Sequence, residues 1–291
     1  MNWVKQAVKR LLDRLFFEQA RSRWAGSNPS LKVAQQSLYL QYRQLLAQGV
    51  AIKASETGLR IYSGTDDDGV LLFIFAAIGF KSRLCVDIGA ADGVNSNCAN
   101  LILNFGFSGL LLEGDEANVA AGQAFYARHP DTLLHPPVFR QAMITAENIN
   151  GLIAGAGLAG EIDLLSVDID GNDFWVWKAI SQVSPRVVVI ETHVEFGLRN
   201  IVVPYDPAYR YPGRHPDYHG ASPVAMVELG RQKGYRLVAT NRYGFNFIFV
   251  RNDECPELLP TLTAEEAIAH PRNPERMARF EAIKDWEYTS A

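Results

Sequence analysis

Two aspartates two residues apart, Asp168 and Asp170, close an apolar run at 162–169. Carboxylates that near repel each other unless a cation or a shared proton lies between them, which makes the pair a candidate for metal binding or for acid–base work. A second apolar run, 186–191, ends in Glu191-Thr192-His193 and adds a carboxylate and an imidazole. Oxygen ligands with one nitrogen suit Mg²⁺ or Mn²⁺, so Asp168, Glu191 and His193 are the candidate metal ligands. A plainer alternative is that Asp170, Asn172 and Asp173 cap the next helix, whose Phe174, Trp177 and Ile180 form its packing face. Asp163 reads as a solvated residue at the strand entry.

A second constellation is Asp87-Ile88-Gly89-Ala90-Ala91-Asp92-Gly93, a D-x-G-x-x-x-G turn. Glycine there lets the backbone turn sharply and approach a ligand, and a helix N-terminus beyond it offers free N–H groups. A tight turn with nothing bound is the competing reading. The run 110–113 ends in Glu113-Gly114-Asp115, about 25 residues further on, where doubly wound nucleotide sites place an acid on ribose hydroxyls. The second and third glycines of G-x-G-x-x-G are missing, so a pyrophosphate has no cradle; G-x-x-x-x-G-K-[ST] is absent too. An adenosine ligand without phosphates fits better.

Positioning these groups requires strands that end at one edge. Short apolar runs at 84–88, 109–113, 138–142, 162–169, 186–191, 235–239 and 245–250 alternate with helical stretches, the pattern of an α/β Rossmann-like, mostly parallel sheet. The turn 240–244 is too short for a parallel crossover, so the last two strands pair antiparallel. Helix signals include Asn28-Pro29, Ser222-Pro223, the Thr263/Glu266 capping box and Asn273-Pro274. The expected organisation is an N-terminal helical annex (1–60), a ligand-binding domain (61–255) and a C-terminal helical tail (256–291).

The chain has 291 residues, 48% hydrophobic and 21% charged, so it is neither disordered nor fibrous. With 28 basic and 32 acidic side chains its net charge of −4 exerts no pull on nucleic acid. Three cysteines without C-x-x-C spacing fit a reducing compartment, and the cytoplasm is the expected location. The uncharged run 70–80 covers about half the roughly 20 residues a bilayer needs and reads as buried helix. Residues 1–20 repeat apolar pairs every four residues among Lys5, Lys9, Arg10 and Arg14, an amphipathic helix with a basic flank. Its apolar face can pack on the chain, on a second copy in a homo-oligomer, or on a membrane surface through residues 1–24.

The D-x-G-x-x-x-G turn, the acid after strand two and the antiparallel last pair resemble class I S-adenosylmethionine-dependent methyltransferases over roughly residues 70–251. The resemblance implies a seven-stranded sheet with the cofactor over the carboxyl ends of strands one to three. Asp87, Gly89 and Gly93 would then line its methionine and ribose side. Glu113, with Asp115 as substitute, would hold the ribose hydroxyls, and the stretch from Ala142 to Thr145 would approach the adenine. The Asp168-Ile169-Asp170 segment looks like the FkbM-like and macrocin O-methyltransferase-like branch, which implies metal binding at Asp168 and proton abstraction at Asp170. Where those relatives present two adjacent acids, this chain has Glu191-Thr192-His193, and His193 is a second candidate base. Residues 63–69 also resemble an FkbM segment, as a wall of the cofactor pocket or as helix caps.

Residues 197–221 form a long insertion rich in tyrosine, arginine, histidine and proline, either an acceptor loop or a rigid surface excursion. The expected activity is O-methylation of a hydroxyl on a sugar or glycosylated metabolite, with S-adenosylmethionine and a divalent metal (Mg or Mn) as cofactors. The expected partner is a small-molecule or glycan acceptor. The alternatives are an NAD-dependent oxidoreductase and a catalytically silent nucleotide-binding or scaffold module attached through its N-terminal helix.

Overall fold

The structure, a computed structural model, describes residues 28–291. The amphipathic segment expected over 1–20 lies outside the described residues. Seven strands form one sheet: β1 (Leu84–Ile88), β2 (Ser108–Glu113), β3 (Val138–Gln141), β4 (Gly160–Val167), β5 (Val183–Glu191), β6 (Tyr235–Thr240) and β7 (Asn246–Arg251). Their order is β3-β2-β1-β4-β5-β7-β6. The first five are parallel neighbours, and β7 runs antiparallel to both β5 and β6. The expected Rossmann-like α/β sheet with an antiparallel last strand is present. Because order reverses at β1, the β1 and β4 carboxyl ends flank the crevice where open α/β sheets bind ligands.

Side chains alternate across the sheet with period two. Val86, Ile88, Leu110, Leu112, Val188, Ile190, Phe247 and Phe249 face one core. Against them pack α5 (Ile149–Gly155), α6 (Asp173–Ala179) and α7 (Pro223–Gln232). Cys85, Leu111, Val187, Val189, Ile248 and Val250 face the other, covered by α2 (Asp67–Ile78), α3 (Ala99–Phe105) and α4 (Glu116–Tyr126). Helix α2 is buried almost all round, as its uncharged run predicts. Outside it lies α1 (Pro29–Ala47), capped by Asn28 and docked through Tyr39 stacked on Phe80 at 5.1 Å and Tyr42 edge-on to Phe73 at 5.4 Å. The tail carries α8 (Ala264–Ala267), with its expected Thr263/Glu266 box, and α9 (Asn273–Ala278). Among the described residues no helix is long and apolar enough to cross a membrane.

Asp163 corrects the sequence reading. It is fully buried, accepts from the N–H groups of Lys81 and Arg83, and meets Arg186 Nη1 at 2.8 Å. Arg186, also without exposure, bonds Glu254 twice at 2.7 Å and the carbonyls of Ile78 and Gly79. Every donor of the guanidinium fork has work, which is what allows such a charge to leave water.

Candidate active site

The turn after β1 is shaped by two contacts that side chains would forbid. Gly89 has φ +85°, and a Cβ there would stand 1.7 Å from the carbonyl oxygen of Asp168. Its N–H and that of Ala90 both reach Leu112 O, at 2.9 and 3.0 Å. Gly93, φ +71°, is packed behind the turn, where a Cβ would meet the Phe139 ring at 2.8 Å. It lines neither the main cavity nor the smaller one beside it, and what it touches is the packing behind the turn. The expected helix N-terminus is displaced as well: α3 starts only at Ala99, and residues 94–98 form turns, two N–H groups of which Asp92 Oδ1 accepts. Asp87 is buried and accepts from the Ser96 hydroxyl, which in turn accepts from Cys98 N at 3.1 Å. Burial pushes the Asp87 carboxyl up from its ordinary value.

Glu113 takes one backbone N–H on each oxygen, Ala91 on Oε2 and Asp115 on Oε1, both at 2.9 Å. Held in this way, the carboxylate borders the main cavity with lone pairs to spare. Asp115, expected as its substitute, instead caps α4 by accepting from Asn118 N, and it lies off the cavity. Thr145 is off the cavity too, exchanging hydrogen bonds with Asn148 at 2.9 and 3.2 Å. Ala142, Met143 and Ile144 do line it.

This cavity, of about 590 Å³, opens at the carboxyl edge of the sheet. Its lining includes Gly89, Ala91, Asn95, Glu113, Asn118 and Met143, and also Asp168, Asp170, Asn172, Glu191 and Tyr209. Asn95 and Asn118 were not legible in the sequence, since lone amides in a turn and a helix carry no spacing signal. A side cavity of about 210 Å³, bordered by Gly64, Thr65, Asp87, Ser166, Asp168 and Asn246, adjoins it at Gly89. Segment 63–69 therefore walls a cavity, while its acids staple loops and do not cap α2. Asp68 accepts the N–H groups of residues 61–63, and Asp66 accepts Arg242 N at 3.0 Å. Burial raises Asp67 to about 6.

Asp168, Asp170 and Glu191 each offer an oxygen, all within 4.8 Å of one another. The sequence argument expected the aspartates to share a side by continuing the strand, but β4 stops at Val167. What brings them together is a turn, with Asp170 at φ +52° and both Asp173 oxygens accepting, from Ile169 N at 2.8 Å and Gly171 N at 2.9 Å. Burial, then the charges of Asp173 and Asp170, raise Asp168 well above the carboxylate range. Burial, then Asp168 and Asp173, do the same to Glu191. A set of acceptor-only groups that resist ionising together fits a divalent cation, which answers both the missing donors and the repulsion.

His193 does not join this cluster. Its Nε2 lies 3.0 Å from Asp217 O, so it carries the proton and donates there, and Nδ1 faces Glu195 Oε2 at 3.6 Å. The ring lies against Phe196 and His219, and burial lowers its pKa to about 3. Neither ring nitrogen points to the carboxylates, because the residues after β5 turn into a short 3₁₀ segment, Val194–Phe196.

The insertion is strapped over the cavity. Tyr205 OH donates to Glu147 at 2.6 Å and accepts from Ala146 N at 3.0 Å; Asn172 Nδ2 donates to Asp206 O and Trp175 Nε1 to Val203 O. Tyr209, Arg210 and Tyr211 thereby form its outer wall.

No protein-family model matches the chain, and no curated protein sequence does. Among solved structures it is similar to monomeric WbdD, at 19% identity and TM-score 0.36, over 58% of this chain. The match spans 36% of the WbdD chain, about a third of its length. It is also similar to the O-methyltransferase from Bacillus cereus in complex with SAH, at 18% identity and TM-score 0.40, over 74% of this chain and 89% of that one. Magnesium protoporphyrin IX methyltransferase (ChlM) from Synechocystis PCC 6803 with bound SAM matches at 14% identity and TM-score 0.36, over 64% and 77%. With these TM-scores all below 0.5, such likenesses carry no inference about activity. The fold and the site define a Rossmann-like α/β protein with an acidic cleft at its strand ends.

Proposed function

We propose that this chain is an S-adenosylmethionine-dependent O-methyltransferase acting on a hydroxyl of a sugar or glycosylated metabolite, with a divalent cation in the acidic cleft. The observation that carries the reading is one continuous cavity joining the Glu113 carboxylate to the Asp168–Asp170–Glu191 cluster. A single ligand can bridge the two. Its volume of about 590 Å³ lies within the range of small-molecule sites. The displaced start of α3 counts against a dinucleotide, because no helix N-terminus stands behind Gly93 to receive a pyrophosphate.

In this reading Glu113 accepts the ribose hydroxyls, Gly89 lets the ligand lie against the backbone, and residues 142–144 flank the base. S-Adenosylmethionine, when bound, would supply an electrophilic methyl group, and a divalent cation, which Asp168 and Glu191 would hold, would supply positive charge that favours loss of the acceptor hydroxyl's proton. Asp170, on the exposed side of the cluster, takes that proton. The Tyr209–Tyr211 wall excludes water and orients the acceptor. Alignment of this kind is worth effective molarities of ~10⁵ M or more, so most of the protein's task is positioning.

Titration calorimetry tests the cofactor directly. S-Adenosylhomocysteine should bind with micromolar affinity and NAD should not; the reverse pattern, or no binding of either, would remove the proposal.

A further inference from the structure

We infer that the outer face of α1 is the docking seam for residues 1–20 of the same chain, laid antiparallel along it as the other arm of a helical hairpin. The inference stands apart from the methyltransferase reading. Helix α1 runs for 19 residues with one side against the core, where Gln35 is buried and Tyr39 and Tyr42 meet Phe80 and Phe73. On the other side Val33 is 62% and Leu40 63% exposed. A surface helix ordinarily turns charged residues to water. Here the stripe opposite the core is Val33, Ser37, Leu40, Gln44 and Ala47, all exposed and none charged. The two charges of α1 lie off it: Lys32 pairs with Asp131 at 2.7 Å, and Arg43 lies over the Tyr39 ring.

The stripe advances by four, three, four and three residues, the repeat that keeps a seam facing one partner helix. Residues 1–20 carry the same repeat in the opposite direction: Met1, Val4, Val8, Leu11 and Leu15 advance by three, four, three and four. Two antiparallel helices with mirrored spacing meet layer by layer. A single register therefore sets Leu15 against Val33, Val8 against Leu40 and Met1 against Ala47, with Ser37 and Gln44 in the layers between. Lys5, Lys9, Arg10 and Arg14 fall off this seam and stay in water.

Chain geometry favours this occupant over a second copy or a lipid surface. Asn28 caps α1 by accepting from Leu31 N at 3.1 Å, so the preceding chain departs from the Val33 end of the seam. The register leaves residues 21–27 as the connection, within the 2–8 residues usual between packed helices, and Gly26 lies in it. Twenty helical residues span about 30 Å and α1 about 28 Å, so the arm reaches the far end of the stripe without overshooting it. A short tether also holds the arm at an effective concentration of about millimolar, which a free partner must exceed.

Paired cysteines in the full chain test the register, on a Cys255→Ser background because the other two native cysteines are buried. With oxidised glutathione, the variant carrying Val8→Cys and Leu40→Cys should close a disulfide within one chain, identified by mass spectrometry of the linked peptides. Its yield should be several times that of Arg10→Cys with Leu40→Cys, which the register holds apart. Equal yields from the two pairs would mean random collision and overturn the proposal. A link joining two chains, seen as a dimer on a non-reducing gel, would give the seam to a second copy and overturn it too. Leu40→Glu should lower the melting temperature of the full chain by several degrees, whereas at a solvated position the change costs almost nothing, so an unaltered melt would count against the covered seam. In flotation with phosphatidylcholine–phosphatidylserine vesicles the wild-type chain should remain unbound; binding that disappears on deletion of residues 1–24 would assign the segment to lipid instead.

Discussion

Asp170 answers two demands that a single residue seldom meets. Its carboxylate must reach Asp168 and Glu191, and its backbone must turn through φ +52°, a region that non-glycine residues enter at some cost. Asparagine tolerates that region nearly as well, so Asp170→Asn isolates the charge from the turn. It should lower turnover by ~10²–10⁴-fold, the usual worth of general base catalysis, and leave S-adenosylhomocysteine affinity within about twofold. A rate near wild type in a direct methylation assay would move the base elsewhere. Removing tightly held metal with a chelator should abolish turnover in the same assay, and Mg²⁺ or Mn²⁺ should restore it. The sequence indicated these carboxylates by type and spacing, yet it misassigned His193, because adjacency in sequence says nothing of how the backbone bends after the strand.

Elements meet in a buried ionic joint: Arg186 on β5 ties β4 through Asp163, the end of α2 through two carbonyls, and the turn after β7 through Glu254. Replacing Arg186 with methionine strands the buried Asp163 carboxylate, and removing one partner of such a cluster costs about 3–5 kcal/mol. The melting temperature should fall by about 10 °C. The pH dependence has a defined sign. Arg186 lowers Glu254 to about 2 from an ordinary 4.5, so its contribution is complete above about pH 4.5 and drains away as pH falls toward 2. Urea midpoints at pH 7, 4.5 and 3 should show that slope in wild type and lose it in Arg186→Met. An unchanged slope would mean that other carboxylates govern acid unfolding. Strand positions were legible because a short apolar run between helical stretches is a local signal; Asp163 was misread because its partners lie 23 and 80 or more residues away.

Across the whole molecule the cleft draws on distant stretches of chain, 89–95, 113–118, 142–144, 168–172, 191 and 209–211, brought to one edge of one sheet. A ligand that spans it couples both halves of the fold to its own affinity. At a hundredfold excess over Kd, S-adenosylhomocysteine should stabilise the native state by about 2.7 kcal/mol, a rise of roughly 5–10 °C in melting temperature. NAD at the same concentration should give none. Equal shifts from both would point to a general nucleotide site and sink the distinction drawn from the glycine turn.

The sequence alone determined the α/β class, the seven strands, the antiparallel last pair, several helix caps, and the acids that close β2, β4 and β5. Each of these depends on periodicity or on contacts within a few residues. Tertiary structure alone decided that Gly93, Asp115 and Thr145 serve packing and local caps, that His193 turns away, that Asp163 is an ion-pair partner deep in the core, and that Tyr209 hangs over the acidic cleft. Those outcomes depend on where a backbone bends and on what stands across the space it leaves, and neither is written in the spacing of residue types.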